Sequence, residues 1–247
     1  MPDYLYGRHA ILEALRAQRP IGEILIARGV RSHGAPSEII DLAQNAGVPV
    51  HSVSRGELDK IARNHQGIVA RIPEFEYAQV EDSLAVARGR GEPAFLLLLD
   101  SVQDPQNFGT LLRTAEAVGV HGVVIAERRA VGVTPAVVKA SAGAVHHLKI
   151  ARVTNLARTI EELKRANVWI AGIENVPEAK DFSSMDFKIP LALVLGSEGE
   201  GLGRLVREKC DFLVRLPMWG KVESLNVAVA GSIILYAAKL QRVSAHA

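Results

Sequence analysis

The sequence predicts an α/β protein in two units, the second built on a mainly parallel sheet. Three observations carry this. Short apolar runs alternate with segments of helical period along most of the chain. The run Phe95-Leu-Leu-Leu-Leu99 is continuously apolar, as suits a strand buried on both faces of a parallel sheet. Between two alternating stretches, residues 73–93 are polar and punctuated by Gly and Pro.

In the first unit, residues 6–18 space their apolar side chains at helical intervals. Ile21 to Ala27 reads as a strand. Pro36 to Ala46 reads as a helix, with Pro near its start and Gly47 just past its end. Val48 to Val53 and Gly67 to Ile72 are strands on either side of a helix over Arg55 to Arg63. This unit spans 1–75. Residues 76–93 read as a linker, with a boundary near Pro93 and a short helix over Ser83 to Ala87.

The second unit spans 94–247. After Phe95–Leu99 comes a helix over Pro105 to Val118, closed by Gly119. Gly122 to Ala126 is a strand, Thr134 to Ala142 a helix and Leu148 to Val153 a strand. Thr154 is placed to cap a helix running to Ala166. Val168 to Ile173, Leu191 to Leu195 and Phe212 to Leu216 are further strands, and Leu225 to Leu240 is a long apolar helix. The alternation predicts a mainly parallel sheet.

Composition narrows the class. Nearly half the residues are apolar, which suits a globular chain. The single cysteine, Cys210, excludes an internal disulfide and any multi-Cys zinc site. The histidines show no metal-ligand spacing, so no metal is expected. No apolar run approaches a membrane span and the start lacks a signal pattern, so the expected location is the cytoplasm. The net charge is only +2. Composition alone therefore does not predict nucleic-acid binding, and any basic surface must be gathered locally. Candidates are Arg8, Arg28, Arg31 and Arg63 in the first unit and Arg113, Arg128, Arg129 and Lys139 in the second.

Three blocks in the second unit place polar residues or glycines at strand ends, where ligands bind in α/β folds. In Asp104-Pro-Gln-Asn-Phe-Gly-Thr-Leu-Leu-Arg113, Asn107 falls in the first helical turn. Arg113 lies six residues on, about 240° net around the helix. The bland alternative is that Asn107 caps the helix and Arg113 is a solvated surface residue. In Leu195-Gly-Ser-Glu-Gly-Glu-Gly-Leu-Gly203, four glycines let backbone groups approach a ligand, with Glu198 in the loop. The block follows neither the dinucleotide nor the phosphate-loop pattern. In Leu216-Pro-Met-Trp-Gly-Lys-Val-Glu-Ser-Leu-Asn226, Ser224 is a natural N-cap. Asn226 reads as a buried amide that must be hydrogen-bonded.

Taken together, Asn-x-Gly-x-x-x-Arg, Leu-Gly-x-Glu-Gly-x-Gly and Pro-Met-x-Gly-x-x-x-Ser-Leu-Asn-Val-x-Val-Ala resemble the three motifs of the SpoU (TrmH-like) branch of the SPOUT RNA 2′-O-ribose methyltransferases. The likeness runs from Phe95 to about Arg242. The first unit is similar to that family's L30-like α/β/α substrate-binding domain. Tyr6-Gly-x-His-Ala10 and His65-Gln-Gly-Ile68 resemble members that methylate a guanosine ribose in the peptidyl-transferase loop of 23S rRNA. Phe108 and Trp219-Gly-Lys221 depart from the common pattern, and Lys221 bears on RNA contact.

The resemblance implies a deep C-terminal trefoil knot, which ordinary topology rules would exclude. It also implies S-adenosylmethionine as cofactor and a homodimer through the knot domain. Gly196, Leu216 and Leu225 are then the cofactor contacts. Asn107, Arg113, Glu198, Ser224 and Asn226 are the catalytic set. Arg8, His9, Arg28, His65 and Gln66 are the RNA contacts, and the substrate is 23S rRNA or its precursor. Arg113 stands either as an unusually perturbed base or as a clamp on the adjacent phosphate, because a guanidinium ordinarily stays protonated. Alternatives are a tRNA or other rRNA 2′-O-methyltransferase, including the thiostrepton-resistance type, and a non-catalytic RNA-binding assembly factor.

Overall fold

The computed structural model describes residues 3–243 apart from 17, 31–33, 63 and 74. Arg31 and Arg63, two of the basic candidates, lie outside the described residues. The chain divides into two compact units between Glu76 and Tyr77.

The first unit runs β1 (Asp3–Tyr6), α1 (Arg8–Arg16), β2 (Glu23–Ala27), α2 (Ala35–Asn45), β3 (Val50–Val53), α3 (Arg55–Ile61) and β4 (Ile68–Ile72). Its sheet has the order β1-β4-β2-β3. β4 is antiparallel to β1 and β2, and β2 is parallel to β3. Strand alternation sets the two faces. Ile24, Ile26 and Ile68 pack with Ile11 and Leu15 of α1 and Ile39 of α2, whereas Ala27 and Val69 pack with Leu58 of α3. The result is the α/β/α arrangement the resemblance implies. β1 escaped the sequence reading because four residues are too few to show a period.

The second unit runs α4 (Val80–Arg90), β5 (Phe95–Leu99), α5 (Pro105–Ala117), β6 (Gly122–Ala126), α6 (Pro135–Ala140), β7 (Ile150–Val153), α7 (Leu156–Arg165), β8 (Trp169–Ile173), β9 (Lys180–Asp181), β10 (Leu191–Leu195), α8 (Arg204–Lys209), β11 (Phe212–Arg215) and α9 (Val227–Val243). The sheet order is β7-β6-β5-β10-β8-β11-β9. Its strand pairs are parallel. β10 is inserted between β5 and β8, both earlier in the chain. All strand C-termini therefore share one edge, and the three sequence blocks leave from it.

Both sheet faces are covered. Ala87 of α4, Ile160 and Leu163 of α7 and Val206 of α8 share a core with Leu96, Leu98 and Val194. α5 packs on α6 and α9 through glycines. A Cβ on Gly109 would lie 2.3 Å from Ala140 Cβ, and one on Gly231 2.6 Å from Leu111 Cδ2.

Two sequence expectations are corrected here. Residues 76–93 are not a linker, because α4 belongs to the second unit. Its buried face consists of small residues, Ser83 and Ala87, which carry too little hydrophobic contrast to read as a core helix. A Cβ on Gly122 would fall 1.9 Å from Ser83 Oγ, so close contact replaces bulk. Asn155 rather than Thr154 caps α7, its side chain accepting from Arg158 N at 3.1 Å.

Candidate active site at the strand C-termini

The site begins with three loops leaving one sheet edge. After β5, Asp104 caps α5 by accepting from Asn107 N at 2.8 Å, and Pro105 takes the first helical position. Asn107 is therefore not the cap, and its side chain is left for other contacts. After β10, Ser197 and Gly201 exchange backbone hydrogen bonds of 3.0 and 3.2 Å, which raises Glu198-Gly-Glu200 as an exposed tip. Gly199 and Gly201 have φ of 89° and 67°, where a side chain is strained. Asp100 Oδ2 accepts from Gly203 N at 2.8 Å and ties this loop to the end of β5.

Gly196 is buried where this loop closes. A Cβ there would fall 2.1 Å from Gly201 C and 2.5 Å from Leu202 N. The glycine is required by the loop's own backbone before any ligand enters.

Asn226 joins the third block to the other two. Its Oδ1 accepts from Ala228 N at 2.9 Å and Val229 N at 3.2 Å, so it caps α9. This fixes the amide orientation. Nδ2 then donates to Glu198 Oε1 at 2.5 Å and to Asn107 Oδ1 at 2.9 Å. Asn107 Nδ2 donates to the same Glu198 oxygen at 2.8 Å. The three side chains form a closed triangle built from three separate blocks. Each donor and acceptor is used in one sense only, so the network specifies a single arrangement.

Here too the structure differs from the sequence reading. Ser224 does not cap α9, because the helix starts two residues later and Asn226 takes that role. Asn226 is exposed rather than buried, its satisfaction coming from the triangle and the helix end. Asn175, which the sequence reading did not single out, donates to Glu223 O at 2.8 Å and holds the third loop to the end of β8.

Two recesses meet at the triangle. One, of about 550 Å³, is lined by all three expected cofactor contacts, Gly196, Leu216 and Leu225, together with Glu198, Ser224 and Asn226. The other, of about 340 Å³, runs along Ser101 to Asp104 and Asn107. Glu198 and Glu200 line both. Arg113 lines neither. It is exposed on α5, and among the described residues no ion pair or hydrogen bond holds its side chain. Cys210 is no rival nucleophile, because burial pushes its thiol up to about 12. Among the described residues, no group of three or more His, Cys, Asp or Glu is placed to hold a metal ion.

The first unit sorts its own candidates. Arg8 and Gln66 are tied together, Gln66 Oε1 accepting from Arg8 N at 3.3 Å and Gln66 O from Arg8 Nε at 3.2 Å. Both are exposed, as are His9 and Arg28. His65 is corrected: at 2% exposure it has no surface to offer a ligand. Its Nδ1 accepts from Gly67 N at 2.9 Å and its Nε2 meets Asp59 Oδ1 at 2.9 Å. The ring braces the turn in which Gln66 has a φ of 53°.

Comparison with known proteins shows the family. The family described as the SpoU rRNA Methylase family matches residues 94–236, and RNA 2′-O ribose methyltransferase substrate binding matches residues 4–78. A Bacillus subtilis protein, YacO, named as a TrmH-family tRNA/rRNA methyltransferase, is 46% identical over 95% of this chain and 94% of its own. The SpoU methyltransferase AviRb of Streptomyces viridochromogenes, crystallised in complex with AdoMet, aligns with a TM-score of 0.70 at 26% identity. That alignment covers 98% of this chain and 90% of AviRb. An AdoMet-bound rRNA methyltransferase of Sinorhizobium meliloti shares the fold, with a TM-score of 0.68 at 24% identity, over 97% and 87% of the two chains.

Proposed function

The chain belongs to the SpoU rRNA methylase family of RNA methyltransferases, and from that premise we propose that it methylates the ribose 2′-oxygen of a guanosine in the peptidyl-transferase loop of 23S rRNA. The observation that carries this reading is the Asn107–Glu198–Asn226 triangle standing between two recesses. One recess suits a cofactor and the other a nucleotide.

The larger recess fits S-adenosylmethionine. Its volume, about 550 Å³, is in the range of small-molecule sites. Backbone from a glycine loop forms one wall, and Leu216 and Leu225 supply apolar contact. S-adenosylmethionine, when bound, supplies a methyl group already activated by its sulfonium charge. The chain's own residues then have to orient a weak nucleophile, and orientation can lower such a barrier substantially. Asn107 and Asn226 hold the Glu198 carboxylate at the wall shared by the two recesses. Ser224 also lines the cofactor recess. Arg113, exposed and without a carboxylate partner among the described residues, is assigned to the target nucleotide as a clamp on its phosphate.

We assign recognition to the first unit through Arg8, His9, Arg28 and Gln66, with His65 as the brace. The C-terminal unit is read as a trefoil knot that dimerises. Val229, Ile233, Tyr236 and Leu240 expose an apolar stripe along α9 at helical spacing, which a second copy would cover.

Mapping ribose methylation in rRNA and tRNA from a deletion strain tests the reading. One unmethylated 23S guanosine, restored by the wild-type chain and not by Arg113→Ala, is the expected result. A change confined to tRNA overturns the substrate, and no change overturns the activity.

A further inference from the structure

The recess assigned to the nucleotide has an acidic lining, with Asp104, Glu198 and Glu200 around Asn107. An RNA strand entering it carries its own negative charge. The phosphates must therefore be neutralised at the rim, and the chain's net charge of +2 offers no general attraction.

The loop after β6 meets that need. β5 and β6 are parallel in register, Leu99 opposite Ile125, so their loops emerge side by side. Val131 N donates to Val102 O at 3.0 Å, which stitches the β6 loop to the wall of the recess. Just before that stitch come Arg128 and Arg129, both exposed. Neither has a carboxylate within ion-pair distance among the described residues.

The backbone adds a second observation. Arg129 has a φ of 60°, a conformation in which glycine would be relaxed and a long side chain is strained. Turn formation alone does not call for arginine there. Backbone strain of this kind persists where surrounding structure enforces it, and it clusters at ligand clamps.

We propose that Arg128 and Arg129 form a phosphate clamp for the RNA strand at the rim of the acidic recess, gripping backbone beside the target nucleotide. The inference rests on the RNA methyltransferase reading above and adds the route by which the strand enters. The contacts are to phosphate, so they carry affinity and register rather than base identity.

The test uses the full-length chain and an unmodified transcript of the 23S peptidyl-transferase loop, with an unmodified tRNA transcript alongside. Arg128→Ala/Arg129→Ala should raise the KM for the bound RNA about tenfold or more and lower the salt slope by about one per arginine. Both kcat and S-adenosylmethionine affinity should be unchanged. Arg128→Lys/Arg129→Lys should recover most of the loss, since lysine keeps the charge. Arg129→Gly should hold or raise Tm while weakening RNA binding, an opposition that a purely structural arginine would not produce. Unaltered KM and salt slope in the double alanine variant overturns the clamp alone, as does a fall confined to kcat. A wild-type protein that binds neither transcript overturns the underlying reading as well.

Discussion

The two edges of the parallel sheet use the same kinds of side chain for opposite ends. At the C-terminal edge, Glu198 and Asn226 are exposed and Asn107 half-buried, and the three bond to one another. At the N-terminal edge, His121 is buried and Arg242 half-buried, and both serve the backbone. Arg242 donates to the carbonyls of Pro93, Ala94 and Ile189 at 2.8, 3.2 and 2.6 Å and lies over the Phe95 ring at 4.4 Å. His121 accepts from Phe95 N at 3.0 Å and meets Glu92 at 3.1 Å. The difference teaches that polarity at a strand end does not identify a site. Buried polar groups there satisfy backbone that water cannot reach, whereas an exposed, mutually bonded cluster has been ordered for something else.

That contrast can be broken hardest at Gly196. Gly196→Val drives a side chain into the backbone of Gly201 and Leu202. Cofactor binding and turnover should both fall to background, read by calorimetry and by methyl incorporation. Retained binding would show that the loop tolerates reopening.

Asn226 sharpens the comparison next. Asn226→Asp keeps an oxygen for the helix cap but sets a second carboxylate against Glu198. Turnover should fall about a hundredfold, with stability changed by less than about 1 kcal/mol. Asn226→Ala should lose turnover and about 1 kcal/mol together. Equal activity of Asn226→Asp and wild type would remove the triangle from the mechanism.

At the opposite edge the order of effects reverses. Arg242→Met keeps the aliphatic stem near Phe95 and removes the donors to three carbonyls. Denaturant unfolding should show a loss of about 2–4 kcal/mol, with kcat of the folded protein unchanged. A large fall in kcat would erase the distinction between the edges.

The smallest effect is that of pH on His121. Burial lowers its pKa from 6.5 and outweighs the opposing pull of Glu92. The folded state therefore favours the neutral ring, and the unfolded state binds more protons as pH falls below 6.5. The stability it contributes is full above that value and is lost as pH falls through the lowered one. The urea midpoint should drop between about pH 7 and pH 5.5, and His121→Gln should flatten that slope.

Much of the site was legible in the sequence because its residues cluster in three short blocks beside apolar runs. Gly196, Leu216, Leu225, Glu198, Ser224 and Asn226, drawn from two of those blocks, all line one recess. What the sequence hid was division of labour. Asp104, next to Pro105, carries a capping signature that would have freed Asn107 from that role. Ser224 looks as good a cap as Asn226, and only the position of the first turn of α9 separates them. The exposure of Arg8 and the burial of His65 depend on how β1 and the turn before β4 are packed, which no local pattern reports. The insertion of β10 between β5 and β8 was likewise invisible, since periodicity gives strands and not their neighbours.

Asn226 does two jobs with one amide: one end holds the first turn of α9, the other holds the triangle. Helix ends fray well below the temperature at which a domain melts. Each opening of that turn releases the amide and scrambles the site. Activity should therefore fade on warming while the protein is still folded, and return at once on cooling.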